Sequence, residues 1–356
     1  MSRAASRIAS ALIVSTSVVF AGTRGNEAAK TPVPVEARAA IVEALRSHEV
    51  VGLSAGEGHG DVRGRRFVVS LIRDPEFGRV LVDVVTENGN ARFQDVMDRY
   101  VRGEAVDAAT LRRAWDDTTQ PQVVSPASEV PEIYRAIRDV NATLPRARQI
   151  RALLPDPPID WDQVATNADF RTWLEQRDSN GADVVRRETL AKGRHALLVY
   201  GAGHLQRRNQ LTNYQMDDPI AHTVVSLLER GGAKTFVIGT AGEPLQAGMQ
   251  TWPVPSLTLL IGTTLGIASE RSGGQRVEIR DGRFVPIPRE RWIAVPLQEQ
   301  VDALLYLGPS SEREMDPLPA GICSEPGYVE TRLKRMSLAG LPPSELDRLK
   351  QFCSRP

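Results

Sequence analysis

The sequence contains few of the residues and motifs that identify common classes of protein. It has two cysteines and five histidines among 356 residues. Lysine plus arginine and aspartate plus glutamate both number 44, so the chain carries no excess positive charge to hold nucleic acid. No glycine-rich segment continues into Gly-Lys-Ser/Thr, which excludes a phosphate-binding P-loop. With 41% hydrophobic and 25% charged residues, the composition is that of an ordinary globular protein.

Long apolar runs are also absent, apart from a short one near the N-terminus. Arg3 and Arg7 flank the start of this run, which covers residues 8–21 without a charge, and small residues follow it. This pattern is typical of a secretory signal peptide and is too short for a membrane span. We therefore predict a cleaved signal peptide at residues 1–25, with an uncleaved anchor as the alternative, and a linker at residues 26–37. The protein is expected to be periplasmic or secreted, with no membrane contact beyond the signal peptide.

The two cysteines, Cys323 and Cys353, both lie in the C-terminal segment, residues 311–356. In an oxidising compartment they can pair, and closing a loop of this size contributes roughly 3 kcal/mol in the chain-entropy model. The alternative is two free thiols. We expect the disulfide, in a short helical tail with helices at residues 328–335 and 344–352.

Two segments of the chain resemble each other. Residues 50–55 form an apolar run that leads into Gly56-Glu57-Gly58-His59, and residues 196–200 lead into Gly201-Ala202-Gly203-His204. A short apolar run closed by glycines predicts a buried parallel strand followed by a tight turn. Ligands bind at the carboxyl ends of such strands in open α/β sheets. We therefore expect His59 and His204 to share one cleft.

The pattern around both segments predicts the fold class. Each is followed by a helical pattern and another strand, which gives two β-α-β units with parallel pairing and right-handed crossovers. We predict an α/β protein whose parallel-sheet core consists of two related halves within residues 38–310. Residues 91–175 form a mainly helical insertion, and residues 277–286 form a β-hairpin. The other predicted strands are at residues 80–85, 235–239, 257–262 and 303–307, and the other predicted helices at 37–46, 65–73, 178–192 and 221–230.

Candidate chemistry begins with the first motif and the strand after it. His59 can act as a general base or bind a metal, and the alternative is a turn histidine bonded to backbone. Glu57 can orient that imidazole, activate water or bind metal, or it can cap the next helix. Glu87 ends the second strand, so we expect it near Glu57, where two carboxylates split their pKa values or bind a divalent metal with His59 and His204. The alternative for Glu87 is a loop-forming role before Asn88.

Arg177 completes the predicted set of catalytic residues. Its guanidinium can stabilise an oxyanion or bind an anionic substrate, and the alternative is an ion pair with Asp178 or Glu175 at a helix start. Asp83 lies inside a strand and is expected to be a buried, hydrogen-bonded carboxylate. Two of the remaining histidines, His48 and His195, come just before predicted strands. They therefore lie at the edge of the sheet away from the cleft.

These motifs resemble those of the superfamily of erythromycin-esterase-like, ChaN-like, Tiki and TraB proteins, whose members carry two Gly-x-x-His motifs after parallel strands. The Glu57-x-His59 spacing is similar to the haem-associated ChaN branch. Glu87 followed by Tyr100-Val101-Arg102-Gly103, and the pair Arg177-Asp178, are similar to the esterase branch. Where esterases often have His-Asn-x-His, this chain has Gly201 and Ala202 in place of the first two residues.

The resemblance implies three alternatives for function. The esterase branch implies an exported hydrolase that cleaves an ester or amide bond of a small-molecule or peptide-like substrate with a His/Glu-activated water. In that case the site consists of Glu57, His59, Glu87, Arg177 and His204. It works either without a metal or with a divalent metal, which the Tiki branch uses. The ChaN branch implies a protein that binds haem or iron. The third alternative is a fold that has lost activity and serves as an interaction module.

Overall fold

The computed structural model describes residues 28–54, 56, 61–121, 129–210, 221–270, 277–280, 283–314 and 320–354. The predicted signal peptide lies outside these residues, as do Glu57, His59 and the turn between the two hairpin strands. Predictions that depend on those residues stay predictions.

The core of the described structure is an eight-stranded, mostly parallel sheet in the order β1-β7-β12-β6-β2-β5-β3-β4. Strands β12 through β4 in that order pair in parallel, whereas β7 and β1 add an antiparallel edge. The α/β prediction is therefore confirmed. The strands are β1 (Val35–Glu36), β2 (Val50–Leu53), β3 (Val82–Thr86), β4 (Arg151–Leu153), β5 (His195–Val199), β6 (Thr235–Thr240), β7 (Ser256–Leu259), β8 (Ser269–Glu270), β9 (Val277–Arg280), β10 (Arg283–Pro286), β11 (Val295–Pro296) and β12 (Ala303–Tyr306).

Several helices begin after a residue whose side chain accepts a backbone N–H group of the first turn. Glu36 caps α1 and Asp61 caps α2, while Thr223 and Ser226 form a capping box at α8. The helices are α1 (Ala37–Ser47), α2 (Val62–Ile72), α3 (Gln94–Val101), α4 (Ala108–Asp116), α5 (Glu129–Asn141), α6 (Asn167–Leu174), α7 (Arg177–Glu188), α8 (Val224–Arg230), α9 (Thr264–Ile267), α10 (Leu297–Gln300), α11 (Tyr328–Leu338) and α12 (Pro343–Cys353).

The predicted two related halves are visible in the strand order. The first half runs β2-α2-β3 and the second runs β5-α8-β6, and the central order β6-β2-β5-β3 stays the same when the two halves are exchanged. The two crossovers run in opposite directions along the sheet, so right-handed connections place α2 and α8 on opposite faces. Alternate side chains follow this division, because Val51 and Leu197 pack in the core cluster with α2, whereas Val50 and Leu198 pack with α8.

Several short elements differ from the sequence prediction. Strand β4 was not predicted, because its three residues include Arg151 and give no apolar run. Strand β1 lies inside the predicted linker and pairs with β7 at the sheet edge. The predicted hairpin is confirmed as β9 and β10. Helix α8 begins at Val224 rather than at residue 221, because Thr223 supplies its cap.

The C-terminal tail is helical, as predicted, and its cysteines are paired. The Cys323–Cys353 disulfide joins Cα atoms 5.2 Å apart. Leu338, Ala339 and Leu341 pack against Trp161 and Phe170. Within the described ranges, no helix is long and apolar enough to cross a membrane.

Candidate active site

The carboxyl ends of β2 and β5 lie side by side at the centre of the sheet. The two strands are parallel neighbours with Leu53 opposite Val199, so the two Gly-x-x-His motifs start at the same edge. From β2 the chain crosses to β3 on one side, and from β5 it crosses to β6 on the other. This is the topological switch point at which α/β sheets bind ligands. His59 lies outside the described residues, so its presence in the cleft stays a prediction.

Glu87 is buried directly after β3, with 8% of its surface exposed. Its Oε1 accepts hydrogen bonds from Gln120 Nε2 at 2.6 Å and from Arg177 Nη2 at 2.8 Å, and its Oε2 accepts one from the Gly201 N–H at 2.6 Å. Burial raises the pKa of this carboxyl, but the positive charges of His204 and Arg177 outweigh burial and hold it well below its ordinary value. Glu87 is therefore ionised at neutral pH.

Arg177 opens α7 and lies between two buried carboxylates. Its Nη2 donates to Glu87, and its Nε donates to Asp156 Oδ1 at 3.3 Å. Asp156 also accepts hydrogen bonds from the N–H and hydroxyl of Thr119 at 2.7 and 2.6 Å. The alternative role that the sequence suggests for Arg177 is an ion pair with Asp178 or Glu175. Arg177 does form ion pairs, but its partners are Glu87 and Asp156. A guanidinium held by two protein carboxylates orients those carboxylates.

His204 lies in a short 3-10 helix, Ala202–His204, after β5. Its Nδ1 is 2.8 Å from Asp178 Oδ1, and its Nε2 is 3.4 Å from Glu87 Oε1. Burial lowers the pKa of the imidazole, but the charges of Asp178 and Glu87 outweigh burial and raise it to about 10. His204 is therefore an imidazolium at neutral pH, with both ring nitrogens protonated. In this arrangement it is a proton donor and a fixed positive charge rather than a base.

Of the predicted metal ligands, the structure describes Glu87 and His204, whereas Glu57 and His59 lie outside the described residues. Among the described residues, no group of three or more histidine, cysteine, aspartate or glutamate side chains is placed to hold a metal. A metal or a haem iron needs an unprotonated imidazole nitrogen. Both ring nitrogens of His204 face carboxylates, and Arg177 lies against Glu87, so this pair does not fit a metal ligand set.

Two buried polar atoms beside the charged side chains have unused hydrogen-bonding capacity. Gln120 Oε1 and the Tyr200 hydroxyl have no hydrogen-bond partner in the part of the chain that the structure describes. The Tyr200 ring meets His204 edge-on, with ring centroids 6.0 Å apart. Burial and the nearby carboxylates raise the pKa of Tyr200 well above its ordinary value, so it remains a phenol that can donate. The two atoms are therefore an unpaired acceptor and an unpaired donor beside the charged side chains.

The two halves of the fold hold their motifs differently. The Gly201 N–H is bound by Glu87, which follows β3, and the Gly56 N–H is bound by Thr240 Oγ1 at 3.1 Å, which ends β6. Glu87 and Thr240 occupy equivalent places when the halves are exchanged. Among the described residues, a carboxylate therefore binds the second motif at Gly201, and a hydroxyl binds the first at Gly56.

Sequence reasoning missed Thr119, Gln120, Asp156 and Tyr200 as members of the site. Asp156 gave no usable signal, because it follows the unpredicted strand β4 within a proline-rich stretch. Gln120 lies in a loop far from any motif. Tyr200 had a signal, since it is the polar end of an otherwise apolar strand directly before the second motif.

One further pattern lies at the end of β2. Residues Gly52, Ser54 and Gly56 have the Gly-x-Ser-x-Gly spacing of a nucleophile elbow, which places its serine at a sharp strand-to-helix turn. Here α2 begins only at Val62, and within the described chain no histidine is hydrogen-bonded to the Ser54 hydroxyl.

The opposite edge of the sheet contains structural polar groups, as predicted. His195 Nδ1 lies 2.8 Å from the backbone oxygen of His48. Asp83 is fully buried and accepts hydrogen bonds from Arg194 at 2.7 Å and Thr189 at 3.0 Å. These residues are at the amino ends of the strands and take no part in the site.

Comparison with known proteins identifies the fold. No protein-family model and no curated protein sequence matches the chain. Among solved structures, a succinoglycan biosynthesis protein is similar with a TM-score of 0.52 at 9% identity, over 78% of this chain and 94% of that one. The chain shares its fold.

Two other similar structures are an erythromycin esterase and a ChaN protein. The esterase variant, in its open conformation, is 13% identical with a TM-score of 0.46, over 79% of this chain and 94% of that one. ChaN of Campylobacter jejuni, described with cofacially bound haem, is 14% identical with a TM-score of 0.37, over 57% of this chain and 85% of that one.

Proposed function

We propose that the chain is an exported hydrolase that cleaves an ester or amide bond of a small-molecule or peptide-like substrate with an activated water. The observation that carries the proposal is a charged network at the switch point of the sheet, in which the buried Glu87 meets the partly buried Arg177 and His204, and His204 meets Asp178. Buried charges are costly, and clusters of them with shifted pKa values in a ligand-binding position are characteristic of active sites.

The protonation states assign the roles in this proposal. His204, held as an imidazolium by Glu87 and Asp178, stabilises with its fixed positive charge the oxyanion that forms at the substrate carbonyl. The leaving group takes the proton that the base removes from water. Arg177 positions Glu87 and Asp156 rather than contacting the oxyanion. The base that takes the proton from water is then His59, oriented by Glu57, since the first motif starts at the same sheet edge.

The unpaired atoms of Gln120 and Tyr200 suit the substrate. Gln120 Nε2 is fixed on Glu87, which leaves its Oε1 to accept from a substrate N–H or O–H group. The Tyr200 hydroxyl can donate to a substrate oxygen. A substrate that carries hydroxyl or amide groups beside the scissile bond would satisfy both.

The Cys323–Cys353 disulfide supports the export part of the proposal, because such bonds persist in oxidising compartments. A haem-binding role has less support, because His204 has no free ring nitrogen for an axial bond. No step of the proposal uses a metal, since the described residues of the predicted set do not fit one.

Hydrolysis of a panel of aryl esters, lactones and acyl amides tests the proposal, using the full chain. We expect His59→Ala, His204→Ala and Glu87→Gln each to lower kcat/KM by about 100-fold or more. His195→Ala is the matched control, because His195 lies on the same strand as the second motif but at the other edge, and it should leave the rate within about twofold.

The same preparation decides between the alternatives. Absence of turnover on the whole panel, or equal losses in His195→Ala and His204→Ala, would contradict a hydrolase. A Soret band on titration with hemin that disappears in His59→Ala would favour haem binding. Stoichiometric metal in the purified protein that is lost in His59→Ala/His204→Ala would show that water is activated by a metal instead.

A further inference from the structure

The C-terminal tail contains a buried arginine that the proposed reaction does not use. Arg332, on α11, has 2% of its surface exposed. Its Nη1 and Nη2 donate to the backbone oxygen and Oδ1 of Asp116 at 2.8 and 3.0 Å, and its Nε donates to the Tyr328 hydroxyl at 3.2 Å. A buried guanidinium is tolerated only where partners satisfy it, so the tail and the end of α4 fit each other specifically.

A second arginine of α11 holds the next residue of the same segment. Arg335 Nη1 donates to Asp117 Oδ1 at 2.6 Å, and its guanidinium lies over the Trp161 ring, 5.2 Å from the ring centroid. Trp161 Nε1 in turn donates to the Thr118 backbone oxygen at 3.1 Å. The tail therefore bonds Asp116 and Asp117 directly, and it packs on Trp161, which bonds Thr118.

The two residues that follow are members of the site. The Thr119 N–H and hydroxyl donate to Asp156, and Gln120 Nε2 donates to Glu87. Asn90, three residues after Glu87, donates through Nδ2 to the Asp117 backbone oxygen at 2.7 Å. Thus the segment that the tail holds is bonded on its other side to the loop that carries the central carboxylate.

The tail is itself firmly docked. The Cys323–Cys353 disulfide joins its two ends, Leu338 and Ala339 pack against α6 and Trp161, and Asn167 Nδ2 donates to the Leu338 backbone oxygen at 2.9 Å. From these contacts we infer that the tail is a positioning element of the active site. Arg332 and Arg335 fix the end of α4 so that Thr119 and Gln120 reach Asp156 and Glu87.

Amide hydrogen exchange, measured residue by residue by NMR on the full chain, tests this inference. In Arg335→Ala and Arg332→Ala we expect the Thr119 amide, which donates to Asp156, to exchange at least tenfold faster. The matched control is Arg348→Ala on α12, whose side chain is 81% exposed and pairs with Glu345 at 3.6 Å. This control should leave Thr119 exchange unchanged, and Arg332→Lys should restore part of the protection.

Exchange of the Val84 and Leu198 amides, in the central strands, is measured in the same variants. It distinguishes local loosening around Thr119 from a general loss of stability. If their exchange rises by the same factor as that of Thr119 in Arg335→Ala, the tail only stabilises the fold and the inference is wrong. Unchanged Thr119 exchange in Arg335→Ala would also overturn it. Should Arg332→Ala not fold, Arg335→Ala decides, because its side chain is partly exposed and costs less to remove.

The inference deepens the proposed function, but it can fail separately from it. Where the hydrolase assay works, Arg335→Ala should lower kcat by about tenfold and shift the pH profile, because Gln120 no longer fixes Glu87. Faster Thr119 exchange in a protein without hydrolytic activity would uphold the tail's role and reject the hydrolase. The reverse result would reject the tail's role alone.

Discussion

Glu87 and Arg177 form an ion pair inside the protein, so removing either side chain leaves the charge of the other without its counter-ion. In Glu87→Gln the guanidinium loses the charge of Glu87 and keeps, among the described residues, the Asp156 carboxylate at 3.3 Å. We expect the variant to lose about 3–5 kcal/mol of unfolding free energy, the usual result of breaking a buried ion pair. Urea unfolding at pH 7 measures it.

The control for this prediction is Glu104→Gln, which breaks a surface pair with Arg99 at 3.0 Å. Because that carboxylate is about half exposed, its loss should cost less than about 1 kcal/mol. Equal losses in the two variants would mean that the Glu87–Arg177 pair is as well solvated as a surface pair.

Asp178 sets the charge of His204. The amide in Asp178→Asn can still accept the Val224 N–H bond made at 2.9 Å, so the variant removes a charge and little else. We expect the pKa of His204 to fall from about 10 by at least one unit, measured by NMR titration of the imidazole. Asp183→Asn, on the same helix but paired with Arg186 at the surface, should leave that pKa unchanged.

Helix α7 packs closely on the site at Gly181. A Cβ added there would lie 2.9 Å from the Tyr200 hydroxyl, closer than such atoms pack. Alanine normally stabilises a helix interior by about 1 kcal/mol relative to glycine, but here we expect Gly181→Ala to destabilise by about 1–3 kcal/mol.

The Tyr200→Phe background tests the cause of that effect. Removing the hydroxyl oxygen should turn Gly181→Ala from destabilising to neutral or stabilising, as measured by a double-mutant cycle of unfolding free energies. A penalty of the same size in both backgrounds would show that the hydroxyl is not what alanine displaces.

At the scale of elements, the parts of the fold that sequence predicts are those with a strong local pattern. Strands β2 and β5 are buried on both faces, so they appear as continuous apolar runs, and their glycines mark the turns that follow. Glu87 could be predicted because it directly follows strand β3, and His204 because it lies in the turn after strand β5. Asp156 and Gln120 could not, because long-range contacts, with no local pattern, bring them to Glu87. The partners of Arg332 are likewise set by docking of the tail.

For the molecule as a whole, the charge of His204 makes stability depend on pH. The pKa of His204 is raised by folding from its ordinary value of 6.5 to about 10, so the folded state binds the proton more tightly. This stabilisation is fully present below pH 6.5 and is lost as the pH rises toward 10. Between pH 7 and 9.5, the unfolding free energy of the wild type should fall by up to about 3 kcal/mol more than that of His204→Gln.

Denaturant unfolding at the two pH values measures this difference, and His195→Gln serves as the reference for a histidine outside the network. A parallel decline in the wild type and His204→Gln would mean that His204 is not held as an imidazolium. Glu87 acts in the opposite range, because its lowered pKa gives stability that is lost as the pH falls below about 4.5.

The interleaved strand order has a consequence for how the protein can fold. Strand β2 has β5 and β6 as its neighbours, both from the second half, and β5 has β2 and β3, both from the first. Neither half can pair its own central strand, so neither is an autonomous folding unit, and a chain truncated before β5 would expose β2 along both edges. Sheet formation must await contacts between residues that are distant along the chain, which favours slow folding and exposes nascent strands to aggregation.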